Sequence, residues 1–225
     1  MEAVPVPLVV PLGSGGRLDL LVQIRSVGSN LFDEPSLNAR DLTFTIEPAS
    51  GVFVDGILGH AGTVPGQAST VRLEPVLEEA DLLIRLHYDS AASGSLPIGK
   101  LRLRFVDLLD GGVTAEVELS PVVRASDDAF DLENTKDEFA QARVEEIVVA
   151  DLIQTELARA QMGKFEAARS ALQEKFAALR ASVEADPFLD VEGPLDALAT
   201  ALEEIERLET DATCRTAPSR CLMPQ

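Results

Sequence analysis

The sequence is poor in aromatic residues and in the side chains that most often carry chemistry. Its 225 residues include no tryptophan, two cysteines and two histidines, and aromatic residues make up only 4% of the chain. The core must therefore be built mainly from Leu, Val, Ile and Ala. A protein that stacks nucleic-acid bases on aromatic rings is disfavoured. Two cysteines without a nearby histidine do not form a zinc site, and no cofactor is expected.

Basic residues are scarce as well. The chain has 19 Lys and Arg against 38 Asp and Glu, which gives a formal net charge of −19. The balance is −7 over residues 1–125 and −12 over residues 126–225. Such a charge repels phosphate backbones and anionic lipid surfaces, so a nucleic-acid partner is not expected. Two interpretations stay open: the charge serves solubility, or it provides a docking face for a basic protein.

Long apolar runs are absent, because no segment approaches the roughly 18–20 apolar residues of a membrane-spanning helix. The opening stretch MEAVPVPLVVPL lacks a basic segment and is interrupted by prolines, unlike a secretion signal. We therefore expect a cytoplasmic protein without membrane insertion. Cys214 and Cys221 lie in residues 210–225, which we predict to be an irregular tail. They could form a short-loop disulfide in an oxidising compartment, or remain two free thiols in a reducing one.

Residues 1–125 carry the pattern of a β domain. In DLTFTIEP, Leu42, Phe44 and Ile46 alternate with polar residues, and a period of two indicates a half-buried strand. Seven or eight short strands of this kind follow one another with no helical run between them. This order predicts an antiparallel, immunoglobulin-like β-sandwich over the whole segment.

A hairpin is predicted near the end of this β domain. The alternating runs GKLRLRFVDLL and VTAEVELSPVV flank Asp-Gly-Gly at residues 110–112. Asp-Gly between two alternating runs is a strong hairpin signal. The arginines of the first strand are expected to face the glutamates of the second. Exposed pairs of this kind would add only about 0.2–1 kcal/mol each.

The second half of the chain carries helical periodicity after an acidic linker, which we predict at residues 126–133. Helices are predicted at about 134–161, 164–184 and 194–209, with Asn134 capping the first and Gly163 ending it. Three amphipathic helices joined by short turns form a hairpin or small bundle, so the fold class is α+β. The expected apolar stripe of the first helix comprises Phe139, Val144, Ile147, Val148, Leu152, Ile153 and Leu157.

The turn between the first two helices has a recognisable pattern. Gly163, Phe165, Ala168 and Leu172 fit the pattern G-x-[FY]-x-x-A-x-x-x-L, and Phe176 continues the same stripe. The glycine ends a helix, the aromatic ring fills the corner, and the small alanine allows close approach. The same pattern joins helices in tetratricopeptide repeats, but residues 134–209 hold no second copy at the spacing of about 34 residues that such an array needs.

A strand-rich region followed by this helical hairpin resembles part of a known family. Over about residues 15–208 the chain is similar to the region after the A domain in bacterial von Willebrand factor A domain proteins of the calcium-activated chloride-channel-like group. The A domain itself is missing. In DSAAS, Asp89 and Ser93 are present but Ala91 stands where the family's metal motif, Asp-x-Ser-x-Ser, has its first serine, so no metal ligand is carried over.

The resemblance implies a protein that works through protein contacts. It suggests a non-catalytic interaction or assembly module whose partner is an A-domain protein, an AAA ATPase or further copies of the chain. An alternative is an accessory factor of a MoxR-type AAA ATPase machine that matures A-domain proteins. Both expectations rest on analogy with the family.

The remaining candidates for chemistry are weak. The chain has no G-x-S-x-G nucleophile motif, and only His60 and His87 could act as imidazole bases, so we predict that it is not an enzyme. His60 lies in a glycine-rich loop, and His87 is expected at an outward or edge strand position. Acidic residues at 127, 128, 131 and 133 lack the glycine and spacing of a calcium loop, and we interpret them as helix-capping and solubilising.

Overall fold

A computed structural model describes residues 1–6, 9–25, 39–58, 68–73, 79–91, 94–108, 111–133 and 137–216. This part of the chain is α+β. Its strands are β1 (Glu2–Val6), β2 (Val9–Pro11), β3 (Gly16–Arg25), β4 (Ala39–Pro48), β5 (Val52–Ile57), β6 (Ser69–Arg72), β7 (Glu79–Tyr88), β8 (Ser95–Pro97), β9 (Gly99–Asp107), β10 (Val113–Leu119) and β11 (Val122–Ser126). Its helices are α1 (Ala129–Glu133), α2 (Glu138–Gln161), α3 (Phe165–Ala185) and α4 (Glu192–Thr216). The chain divides into two compact units, a strand-rich unit (Met1–Ala140) and a helical unit (Gln141–Gln225).

The described strands of the first unit form three sheets. The strand orders are β1-β3-β7-β5 in the first sheet, β10-β9-β4-β6 in the second and β2-β11-β8 in the third. Neighbouring strands are antiparallel except for β2 and β11, which run parallel. The sequence pattern did not predict this parallel pair, because parallel neighbours are joined through long connections that periodicity does not reveal.

One buried cluster takes apolar side chains from all three sheets of the first unit. The alternation predicted for β4 is confirmed, because Leu42, Phe44 and Ile46 are fully buried in this cluster. Leu20 of the first sheet and Val123 of the third enter the same cluster. Removing a side chain of this size from water contributes about 1.5–3 kcal/mol, so the cluster is the main source of stability in the unit.

The helical unit has a separate buried cluster. Within each helix its members are separated by 3, 4, 7 or 11 residues, and these separations return to one face of a helix with 3.6 residues per turn. They are Val149 and Ala160 of α2, Ala168, Leu172 and Leu179 of α3, Leu189 and Val191 of the α3–α4 turn, and Leu198, Ala201 and Ile205 of α4. The stripe predicted to run from Ala168 through Leu172 to Phe176 therefore lies in or beside this cluster.

The first long helix differs from its prediction at its N-terminus. Helix α2 begins at Glu138, and the N–H of Ala140 donates to Oδ1 of Asp137 at 2.9 Å, so Asp137 caps it. Asn134 lies outside the described residues. Phe139, predicted to be buried, is 71% exposed. Val149 is buried, whereas Val148 is only half-buried, because a helix with apolar residues on several sides does not reveal which side is covered.

The last helix is longer than predicted at both ends. Helix α4 runs from Glu192 to Thr216, so part of the tail predicted as irregular is helical. Pro194 does not break it, because the N–H that proline lacks has no partner in a first helical turn. Beyond residue 209 the hydroxyl of Thr213 donates to the carbonyl of Glu209 at 2.8 Å. The next proline in the sequence is Pro218.

Residues 126–133, predicted as an acidic linker, include the end of a strand and a short helix. Ser126 ends β11 and Ala129–Glu133 form α1. The N–H of Phe130 donates to Oδ1 of Asp128 at 2.9 Å, which anchors the start of this short helix. The segment belongs to the first compact unit.

Candidate functional site

The hairpin of β9 and β10 carries a ladder of opposite charges on its outer face. Arg102 lies opposite Glu118 and Arg104 opposite Glu116 in the register, which confirms the predicted pairing of arginines with glutamates. Nε of Arg102 donates to Oε2 of Glu118 at 3.0 Å. Its Nη1 donates to Oε1 of Glu47 on β4, also at 3.0 Å. Arg102 therefore ties three strands of the second sheet together.

Hydrogen bonding perturbs the pKa values of this ladder. The hydrogen bond from Arg102, followed by that from Lys100, lowers the pKa of Glu118 below its ordinary value. In turn, the hydrogen bond to Glu118 and the charge of Glu47 raise the pKa of Arg102. The groups are exposed, so water screens these attractions and their contribution to stability is small.

Strand β10 is an open edge of the second sheet. It pairs with β9 on one side, and no other described strand lies along its outer side. An edge strand presents unpaired N–H and C=O groups to which another chain can add. With seven residues, no proline and an unbroken register against β9, β10 keeps these groups in a regular row.

The other edges of the described sheets are less suited to pairing. Proline, which removes a ladder donor, occurs in β1 (Pro5), β2 (Pro11) and β8 (Pro97), and the last two strands have only three residues each. Strand β6 has four residues. The register of β5 shifts between Val54 and Gly56, and such irregularities blunt an edge. Among the strands described, β10 is therefore the long, regular edge.

The side chains of β10 also limit what can pair with it. Thr114, Glu116 and Glu118 are exposed on one face, and Val113 is 55% exposed on the other. Antiparallel pairing of two copies about the central residue would place Glu116 opposite Glu116. Like charges directly opposite are destabilising, so the edge favours a different strand with a basic residue opposite Glu116.

A second surface lies at the turn between α3 and α4, within the helical unit. A cleft of about 500 Å³ is lined by the apolar residues Val183, Pro187, Phe188 and Leu195 and by the acidic residues Asp190, Glu192 and Asp196. Phe188 is 80% exposed. The carbonyl of Asp186 accepts from the N–H of Leu189 at 3.2 Å. This turn buries Leu189 and leaves the ring of Phe188 at the surface.

The sequence pattern missed Phe188, because it falls between two helices where no periodicity applies. A charge signal was available: between Arg180 and Arg207 the sequence contains eight acidic residues and no Lys or Arg. The residues of β10 give no indication that it is an edge strand, because the order of strands in a sheet depends on pairings between distant parts of the chain.

The predicted hairpin residues lie at the α2–α3 turn and along α3. Gly163 has φ +83°, and two hydrogen bonds close the turn: Gly163 N–H to Ala160 carbonyl at 2.8 Å and Lys164 N–H to Arg159 carbonyl at 3.1 Å. This is the Schellman arrangement that ends a helix at a left-handed glycine. The residues predicted to pack after it are placed as follows: Ala168 and Leu172 are fully buried, and Phe165 and Phe176 are half-buried against the same cluster.

His87 lies on β7, an interior strand of the first sheet. Of the two positions predicted for it, the one on an edge strand is therefore excluded. Its Nδ1 lies 2.6 Å from Oδ1 of Asp55, and its ring stacks on Phe53 with 4.7 Å between ring centroids. The register neighbours of His87 are Arg17 and Phe53, neither of which can act as a nucleophile. His60 lies outside the described residues.

The same face of the first sheet holds a polar cleft of about 480 Å³. Arg17, Asp19, Asp55 and Arg85 line it. Arg85 and Asp19 form an ion pair at 3.5 Å, and Asp55 is held by His87. The charges of the cleft are thus largely satisfied within the protein.

The acidic residues near α1 bind protein groups. Oδ2 of Asp131 accepts from Arg124 at 2.5 Å and from the hydroxyl of Ser126 at 2.9 Å. Asp128 accepts from the helix N-terminus, as given above. Over the residues described, no three His, Cys, Asp or Glu side chains come together in a way that could hold a metal ion.

The remaining sequence candidates can be placed only in part. Asp89 follows β7 and is exposed, and Ala91 is buried. Cys214 lies in the backbone of α4. Ser93 and Cys221 lie outside the described residues, so the disulfide stays a prediction. None of the helices in the described segments is long and apolar enough to cross a membrane.

Comparisons with known proteins give distant structural likenesses. No protein-family model and no curated protein matches the chain. Among solved structures it is similar to the ArnB paralog VWA2 from Sulfolobus acidocaldarius, with 15% identity, 77% of this chain and 43% of the other covered, and a TM-score of 0.45. A variant of BcpA, the major pilin subunit of Bacillus cereus, is 14% identical over 55% of this chain and 40% of the other, with a TM-score of 0.35.

A third likeness is to the N-terminal domain of the Streptococcus gordonii adhesin Sgo0707. It is 12% identical over 55% of this chain and 31% of the other, with a TM-score of 0.34. The chain spans less than half the length of each of these three structures. The scores are low, so the function of this chain must be argued from its own side chains and strand edges.

Proposed function

We propose that the chain is a non-catalytic protein-binding or assembly module, and that a partner strand adds to the outer edge of β10. One observation carries the proposal: among the described strands, β10 is the long edge without a proline, a bulge or a short length to block pairing. In strand addition, main-chain hydrogen bonds supply affinity, and the side chains at alternate positions supply selectivity.

The charge of the chain favours a partner of opposite sign. Glu116 and Glu118 project from the same face of β10, and the whole chain has a net charge of −19. Self-association through β10 would oppose like charges. The preferred partner strand therefore carries Lys or Arg opposite Glu116, since Glu118 is already paired with Arg102 and Lys100, and apolar residues opposite Val113 and Val117.

The proposal treats the protein as non-catalytic. His87 is the described imidazole, its Nδ1 is held by Asp55, and the strand neighbours at its level are Arg17 and Phe53. A hydrolytic site built on nucleophilic attack needs a hydroxyl or thiol next to such a base. The register offers none on the two flanking strands.

The proposal also includes an architecture and a setting. We propose an immunoglobulin-like sandwich over residues 1–125 and a helical bundle over 134–209, in a cytoplasmic protein related to the region after an A domain. Separate buried clusters in the strand-rich and helical units support the division. The alternative, an accessory factor of a MoxR-type AAA ATPase machine, predicts a partner that is released when nucleotide is added.

Two adjacent proline substitutions, Thr114→Pro and Ala115→Pro, test the β10 edge. Successive residues of an antiparallel edge strand direct their N–H groups alternately toward and away from the neighbouring strand. One substitution therefore removes a donor to β9, and the other removes a donor from the open edge. We expect one variant to lose stability, and the other to keep its melting temperature within about 3 °C while losing the partner.

The readout is cross-linking and affinity capture from the cells that make the protein, with light scattering of the purified chain. A partner strand mapped to β10 by cross-links, and lost in the stable proline variant, supports the proposal. Equal capture by both variants and the wild type would contradict it. A large self-assembly that survives in both variants would assign β10 no role in binding.

A further inference from the structure

The cleft at the α3–α4 turn presents apolar side chains to solvent. Phe188 is 80% exposed on a turn whose neighbours Leu189 and Val191 are buried. The N–H of Phe188 donates to Oδ1 of Asp186 at 3.3 Å, so the turn itself directs the ring outward. An exposed phenylalanine beside a cleft of about 500 Å³ offers a large apolar area to a partner.

The charged residues that line this cleft are all acidic. Asp190, Glu192 and Asp196 line it, and Asp186 lies at the turn. Across residues 181–206 the sequence has no basic residue. The ion pairs formed by the described residues of the helical unit lie elsewhere, as in Lys175 with Glu145 and Arg207 with Glu204. Among the described residues, the acidic side chains of the rim therefore form no ion pair, and the adjoining sequence supplies no Lys or Arg.

Helix stability explains only part of this acidity. Acidic residues near a helix N-terminus are favourable because they face the positive end of the dipole. Glu192 lies in the first turn of α4, and Oδ1 of Asp190 accepts from its N–H at 3.5 Å. Asp196 lies one turn further along, where the dipole contribution has fallen off, and Asp186 lies outside the helix.

We propose that this cleft binds a short segment of a partner protein in which basic residues flank a pair of large apolar side chains. The apolar side chains contact Phe188 and Leu195, and the Lys or Arg residues pair with Asp190 and Asp196. Charge complementarity selects this occupant, since a second acidic copy of the chain would bring like charges together. The proposal is independent of the β10 edge, which belongs to the other compact unit.

The test uses the full-length chain and three labelled octapeptides, with binding followed by fluorescence anisotropy. GRRLFRRG contains both the basic residues and an apolar anchor, GRRAARRG lacks the anchor, and GEELFEEG reverses the charge. We expect GRRLFRRG to bind at least about tenfold more tightly than GRRAARRG, a difference of about 1.4 kcal/mol. Binding of GEELFEEG should be absent.

Matched variants separate the cleft from general attraction to an acidic protein. Phe188→Ala should weaken binding of GRRLFRRG at least about tenfold, whereas Phe130→Ala, at a 72% exposed phenylalanine of the other unit, should leave it within about twofold. Asp190→Asn with Asp196→Asn should weaken binding more than Glu203→Gln with Glu206→Gln. The two pairs remove equal charge, and asparagine keeps the capping oxygen of residue 190.

Three results would overturn the proposal. The first is equal weakening by Phe188→Ala and Phe130→Ala, which would mean attraction to surface charge alone. The second is equal weakening by the two neutralised pairs. The third is a molar mass above the monomer by light scattering that falls to the monomer in Phe188→Ala, which would assign the cleft to a second copy. Helical circular dichroism of each variant checks that loss of binding is not loss of folding.

Discussion

Single side chains on the second sheet join neighbouring strands through charge. Arg102 hydrogen-bonds Glu118 on one side and Glu47 on the other, and Lys100 lies 3.3 Å from Glu118. Glu118 thus receives two cations, and its pKa is lowered chiefly by the hydrogen bond from Arg102. We therefore expect acid to weaken the contacts of the hairpin edge and not those of the apolar core.

We predict that Glu118→Gln removes part of the acid sensitivity of the chain. A carboxyl whose pKa is lowered by folding stabilises the folded state above its ordinary pKa of 4.5, and this stabilisation is lost as the pH falls through the folded value. The wild type should therefore melt slightly above Glu118→Gln at pH 7, and the two melting curves should converge below pH 4.5. Thermal melts across this pH range measure the effect.

Glu203→Gln is the matched control, because Glu203 is exposed on α4, outside the hairpin. Its melting temperature should follow the wild type at all pH values. Parallel profiles for Glu118→Gln and the wild type would show that the Arg102 hydrogen bond contributes nothing in solution.

Helix boundaries in this protein follow from short-range chemistry. Asp137 caps the start of α2, and Gly163 ends it with a left-handed backbone and two closing hydrogen bonds. Pro194 is accepted in the first turn of α4. Each of these residues acts on its nearest neighbours, so the effect of changing it can be predicted from the backbone alone.

We predict opposite effects of the same substitution at two glycines of the helical unit. Gly163→Ala should lower the free energy of unfolding by about 1–2 kcal/mol, because alanine is strained at φ +83°. Gly193→Ala lies inside α4 without a positive φ, and should raise it by about 0.4–1 kcal/mol. An added Cβ meets no atom within 4 Å at either site, so crowding does not complicate the comparison. Urea unfolding followed by helical circular dichroism measures both; effects of the same sign would contradict the assignment of the turn.

At the scale of the whole molecule, the strand-rich cluster and the helical cluster of the described residues share no residue. The chain contains one tyrosine and no tryptophan, and Tyr88 is buried in the strand-rich cluster, where burial raises its pKa. Tyrosine fluorescence therefore reports on the strand-rich unit, and helical circular dichroism reports mainly on the other unit.

We predict that core truncations act on one unit at a time. Leu172→Ala leaves a cavity in the helical cluster and should destabilise it by about 2–5 kcal/mol, which shifts the circular dichroism transition toward lower urea. The Tyr88 fluorescence transition should stay in place. Leu20→Ala, in the strand-rich cluster, should produce the reverse pattern. If either variant moves both transitions together, the two units unfold as one.

Much of the local structure could be read from the order of residues. The alternation around Phe44, the pairing of β9 with β10, the end of α2 at Gly163 and the apolar stripe of α3 all depend on neighbours within a few residues. Periodicity and backbone preference act over that range, so these features were accessible without the fold. The charge excess, on which the proposed preference for basic partners rests, is likewise a property of composition.

The two proposed binding surfaces depend on features that periodicity does not describe: the exposure of one turn, and the order of strands that are far apart in the chain. Periodicity marks an apolar face without showing what covers it, so Phe139 was expected inside and is exposed, and Phe188 carried no pattern at all. Likewise, alternation identifies β10 as a strand, but its open edge follows from the strand order β10-β9-β4-β6. That order is set by pairing between strands far apart in the chain. Each sheet buries one face in the shared core, and the outer side of its last strand has no neighbouring strand among those described.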